Sequence, residues 1–176
     1  MPALCIYVGD SGDVLRRLTT DHGAGNVEAS ALRRHIAEEM GYELTRTKRA
    51  SGNTRIRIAA PNERSGELRV TEYIRSGRWK YVLCASYDEA SDFQWFVIER
   101  LNPLTNRRRG AWRRPELPRY EALLGALQAS PPTEGGKLSG LKSGPGVYVL
   151  DHDRPPRSKE VPAQLCADAR GARPEV

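Results

Sequence analysis

Tyr7 and Arg17 stand ten residues apart near the start of the chain. A phenol can give up or accept a proton, and a guanidinium holds phosphate or carboxylate in a fixed fork. For the two to share one cleft, the chain between them must be strand, tight turn and helix. Leu4-Cys5-Ile6-Tyr7-Val8 is apolar and strand-favouring. The run breaks at Gly9, and Asp10-Ser11-Gly12-Asp13 offers turn chemistry and a helix N-cap. Val14, Leu15 and Leu18 then resume at helical spacing. On these two residues alone, a buried tyrosine and a solvated arginine in an ordinary βα unit is the simpler reading.

The 176 residues suffice for one domain with a core, with room for an appendage. No apolar run approaches the ~20 residues that span a bilayer. Met1–Asp10 has neither a basic n-region nor a long apolar h-region, so no signal peptide is expected. Cys5, Cys84 and Cys166 are far apart and odd in number, which fits a reduced, cytoplasmic protein better than a disulfide framework or metal cluster. The net charge of +6 suits a nucleic-acid partner, although unrelated arginine-rich proteins share it.

Further along, Leu32, Ile36 and Met40 form an apolar stripe that predicts a helix over 28–40, with Arg33 and Arg34 off the stripe and exposed. Residues 43–60 are basic and alternating, with a turn at Ser51-Gly52-Asn53 and a strand over 54–59. A helix over 62–76 and a strand over 78–85 follow. Asp88–Leu101 reads as a helix in which Gln94 is the one polar residue on a buried ridge, either a satisfied core amide or a site residue. Arg107, Arg108, Arg109, Arg113 and Arg114 surround Trp112, as a phosphate-binding patch with a stacking ring or as a solvated basic loop. A short helix over 120–128, a linker, a strand at 147–150 and a poorly ordered tail complete the chain.

Taken together, several pieces resemble the GIY-YIG nuclease superfamily. Tyr7-Val8-Gly9 resembles the second half of its name motif, and Arg17 falls where that family has its arginine. His22 lies near the histidine of some members. Gln94 to Ile98, followed by Asn102-Pro103-Leu104-Thr105-Asn106, resembles E-x-x-x-I…P-x-x-N, with Asn106 as the family asparagine. Two departures stand out. Gln94 replaces the family's metal-binding glutamate, and a neutral amide is a poor ligand for a hard divalent cation. The chain would then be a silent relative, or a glutamate was replaced on purpose; Asp92, Glu89 or Glu99 could otherwise supply the charge. The first half of the name motif is also missing upstream of Tyr7. Gly146-Val147-Tyr148 has its shape, which implies a circular permutation in which this C-terminal strand pairs beside the Leu4–Val8 strand; an unrelated strand is the alternative.

The resemblance implies a metal-dependent DNA endonuclease that uses Mg²⁺ (or Mn²⁺) and an activated water, inactive as written because of Gln94. Tyr148 would be the general base or its helper, with Tyr7 assisting. Arg17 would hold the phosphate, His22 would shuttle a proton or touch the same phosphate, and Asn106 would brace the site. Arg16, Arg33, Arg34 and the 107–114 arginines would contact the backbone of double-stranded DNA. The 43–60 segment, least like the family, would supply specificity. A homodimer on palindromic sites is one arrangement that restriction-type members adopt. A catalytically silent nucleic-acid-binding module is the alternative, and a basic interaction domain without nucleic acid is a third. The expected architecture is α+β, a small antiparallel sheet with helices around it: a nuclease-like domain at 1–128, a linker at 129–143, a completing strand at 144–150 and a tail at 151–176.

Overall fold

A computed structural model describes residues 3–156. The first strand, β1 (Leu4–Ser11), runs three residues beyond its apolar core. Gly9, Asp10 and Ser11 were expected to turn, but each pairs with a residue of the last strand, and those ladder hydrogen bonds hold the backbone extended. The turn therefore falls at Gly12. Asp13 caps the helix after it, its Oδ1 accepting from the Arg16 amide at 3.0 Å. Helix α1 (Val14–Arg16) widens at once into a π-helical turn over Arg17–His22.

Ser30 caps α2 (Ala31–Glu39) through the Arg33 amide. The helix starts later than its apolar stripe suggested because the Asn26 side chain accepts from Glu28 and Ala29 and holds that stretch as a turn. A separate hairpin, β2 (Leu44–Lys48) with β3 (Thr54–Ile58), lies between α2 and α3 (Glu63–Ser76). Next come β4 (Arg78–Leu83), α4 (Tyr87–Leu101) and α5 (Leu117–Ala129). Helix α4 begins at a Ser86 cap and ends where Asn102 takes the left-handed conformation before Pro103. The stretch read as a linker carries β5 (Thr133–Glu134), which pairs with Arg78 and Trp79, and buries Leu138.

The last described strand, β6 (Gly146–His152), sits inside the main sheet, whose order is β1-β6-β4-β5. It is antiparallel to both neighbours. Tyr148 and Leu150 point to the core under α2 and α3, while Val147 and Val149 point to the core under α4 and α5. Each such fully buried side chain stabilises the fold by about 1.5–3 kcal/mol. The protein is thus α+β, with helices on both faces of a small antiparallel sheet. Asp151 and His152, expected in the tail, belong to β6, and the rest of that tail from residue 157 lies outside the described residues. Among the described residues, no helix is long and apolar enough to cross a membrane.

Candidate functional site

The pairing of β1 with β6 sets Tyr148 opposite Gly9. The Tyr148 ring lies across that glycine so closely that a Cβ there would meet the phenol oxygen at 2.4 Å. Only glycine admits this approach. Tyr7, two residues earlier, brings its ring centroid to 6.5 Å from that of Tyr148.

The π-helical turn then brings in His22. An extra residue per turn rotates the helix and aims the imidazole inward. His22 Nε2 lies 2.8 Å from the Tyr148 hydroxyl, and Nδ1 lies 2.7 Å from Ser30 Oγ. Its ring stacks on Trp79 at 6.0 Å, nearly parallel. His22 is fully buried, so its partners are Tyr148 and Ser30 rather than a phosphate. Arg17 stands at the mouth of this cluster beside Tyr148, its guanidinium 2.8 Å from Asp21.

Burial dominates the protonation of all three groups. It pushes the Tyr148 phenol well above its ordinary range; Tyr7 adds to the rise, and Arg17 opposes it without prevailing. Tyr7 is raised for the same first reason, again against Arg17. Burial, then Arg17 and Arg33, hold the His22 imidazole well below its usual value. Arg17, the cation that would favour a phenolate here, is therefore outweighed by burial. At neutral pH the site holds neutral phenols against a neutral imidazole.

Asn106 braces β1. Its Oδ1 accepts from the Val8 amide at 2.8 Å, and its Nδ2 donates to the Val8 carbonyl at 2.9 Å. Leu104 and Thr105 continue this covering, their backbone N–H groups donating to the Cys5 and Ile6 carbonyls. Gln94 reaches the same Val8 carbonyl from α4, with Nε2 at 3.4 Å.

Tyr7, Gln94 and Asn106 line a cleft of about 400 Å³. Arg34, Arg46, Arg107 and Arg108 also line it, with His35 and Trp95, and no carboxylate does. A hard divalent cation requires oxygen ligands with negative charge. This lining supplies a neutral amide among four cations, so it does not fit Mg²⁺. The three alternative acids are committed elsewhere: Asp92 to Tyr120 and Arg113, Glu89 to Arg119 and Ala85, Glu99 to Trp112 and Arg114. No group of three or more His, Cys, Asp or Glu suited to a metal occurs among the described residues.

The proposed backbone contacts divide sharply. Arg33 is fully buried rather than exposed: it donates to the His22 carbonyl at 2.8 Å and meets Glu67 and Thr71 on α3. It cannot touch a phosphate, because α3 packs on the side of α2 that the stripe left open. Arg34 donates to Val27 and Glu28 carbonyls at the cleft wall. Arg16 is exposed and faces Asp21. Arg107 pairs with Glu38. Arg109 folds back onto Asn106 and Asn102. Arg113 pairs with Asp88 and Asp92, and Arg114 with Glu99 while lying over the Trp112 ring. Trp112 is itself buried against Phe96 and Tyr120, so it is no stacking platform.

Sequence reasoning missed Ser30, Arg46 and Trp95. Ser30 carried a signal, as an N-cap residue two positions before Leu32 of the apolar stripe; Arg46 and Trp95 carried none beyond adjacency to named segments. No protein-family model, curated protein or solved structure matches the chain.

Proposed function

We propose that this protein binds the phosphodiester backbone of double-stranded DNA in the cleft over Tyr7, on the plan of a GIY-YIG nuclease whose hydrolytic step is silenced at Gln94. The observation that carries the reading is the cleft lining, four arginines without a carboxylate, opening onto Tyr7. Such a lining attracts an anion and repels a divalent cation. Arg34, Arg46 and Arg108 neutralise the phosphates, Arg107 shares its charge between them and Glu38, and the neutral Tyr7 phenol donates to a phosphate oxygen. Arg17, at the edge of the tyrosine pair, adds a fifth cation. Tyr148, His22 and Ser30 hold the tyrosine pair in place from behind.

The second reading is an active endonuclease. What favours it is the gathering of Tyr7, Arg17, His22, Gln94, Asn106 and Tyr148 around the middle of β1, from positions spread over most of the chain. One assay separates the readings. Binding to a labelled duplex is followed by anisotropy as salt rises, and nicking of supercoiled plasmid is followed with Mg²⁺ or Mn²⁺ for the native chain and for Gln94→Glu. The expected result is salt-sensitive binding, no nicking by the native chain and metal-dependent nicking by Gln94→Glu. Binding with no gain from Gln94→Glu leaves a pure binding module. Absence of binding at about 50 mM salt overturns the proposal, because a phosphate site is strongest there.

A further inference from the structure

We infer that the β2–β3 hairpin is a duplex-gripping arm that enters a groove of double-stranded DNA beside the cleft. The inference rests on the reading of the cleft as a phosphodiester site. The hairpin forms its own two-stranded sheet, apart from the main one. Leu44, Ile56 and Ile58 anchor its base on the core, and the tip turns at Gly52, whose φ is 83°. Neither strand contains an acid.

Two of the hairpin's charges are already paired: Arg57 with Glu63 on α3, and Arg49, in the tip turn, with Glu28. Arg46, Lys48 and Arg55 have no ion-pair partner among the described residues. Arg55 Nε is also shielded from solvent without an acceptor, an unmet donor in need of one. Arg46 lines the cleft, so one strand leads from the cleft to the tip. Thr45 and Thr47 add exposed hydroxyls on the face that carries Arg55.

The dimensions match. Five residues per strand span roughly 17 Å, and a major groove about 12 Å wide admits a two-stranded ribbon. Of the hairpin's charges, a single strand in the cleft would meet Arg46 only. A duplex brings further phosphates within reach of Lys48 and Arg55.

The test is Thr47→Glu. Thr47 is the cross-strand neighbour of Arg55, so the new carboxylate pairs with that guanidinium and leaves the hairpin intact. Binding of a labelled duplex of about 20 base pairs, and of its single strand, is measured by anisotropy between about 50 and 200 mM salt. The expected result is a roughly tenfold loss for the duplex at low salt and a slope shallower by about one. Single-strand binding should hold within about twofold, since the cleft is untouched. The double variant Lys48→Ala/Arg55→Ala repeats the test without adding an acid, and thermal midpoints check folding. Unchanged duplex binding in both variants overturns the arm and leaves the cleft reading standing. Equal losses for duplex and single strand also overturn it. A native chain that binds neither form overturns the cleft reading, and the arm with it.

Discussion

Two regions of this protein look alike in sequence and differ in structure. The 107–114 loop holds five arginines around a tryptophan, and the 44–58 hairpin holds four arginines and a lysine among threonines and isoleucines. In the loop, Asp88, Asp92 and Glu99 from α4 take up Arg113 and Arg114, Glu38 takes up Arg107, Arg109 folds onto Asn106 and Asn102, and Trp112 is core, which leaves Arg108 facing the cleft. In the hairpin, Arg46, Lys48 and Arg55 stay unpaired among the described residues. Local charge density therefore says little about free charge. What decides it is whether the fold brings acids from elsewhere.

The largest effect that would test this contrast is on stability. Trp112→Ala should cost about 3–5 kcal/mol in urea unfolding, because the ring fills the core against Phe96 and Tyr120. A cost under about 1 kcal/mol with a fall in duplex binding would restore the loop as a nucleic-acid platform and break the contrast.

A second effect is on pH. Neither basic region contains a histidine, so duplex binding by the hairpin should stay flat between about pH 8 and 6. Folding should not. Burial, ahead of nearby cations, lowers the imidazoles of His22, His35 and His152. Below the unfolded value of about 6.5, the unfolded chain takes up protons that the folded chain refuses. Stability is complete above that pH and falls as pH drops through it, by up to roughly 1.4 kcal/mol per pH unit for His22. Urea titrations across that range, with His22→Gln expected to flatten the slope, would show it. A stability that rises on acidification would contradict the burial of His22.

The smallest effect concerns the loop's charges. Asp88→Asn and Asp92→Asn with Glu99→Gln should release Arg113 and Arg114 and raise duplex affinity by about two- to threefold at low salt. A gain as large as the loss from Thr47→Glu would make the two regions equivalent.

The same physics separates what could be read in the sequence from what could not. Helix α4 was legible because an apolar ridge, acids in the first turn and Pro103 all agree. The 54–58 strand was legible from its alternation and the Ser51-Gly52-Asn53 turn. The pairing of the Tyr148 strand beside Leu4–Val8 was legible only through the resemblance, as one of two readings, and β6 does pair there; its insertion between β1 and β4 carried no local signal. The burial of Arg33 was hidden because Glu67 and Thr71 belong to another helix. The role of Trp112 was hidden by its neighbours: arginines beside it suggested a surface, while Phe96 and Tyr120 lie remote in sequence.

The place of β6 has a kinetic consequence. β1 pairs with β6 alone in the main sheet, and β4 meets β1 only through it. Until residues 146–152 arrive, β1 and β4 face a gap two strand spacings wide, about 10 Å. Helices α2 to α5 can form locally while the sheet cannot close. Loop closure over so long a separation is slow, and folds dominated by such pairings fold in milliseconds to seconds. Closure of the main sheet, and with it the meeting of Tyr7 and Tyr148, therefore requires residues 146–152 to pair on both edges, with β1 and with β4.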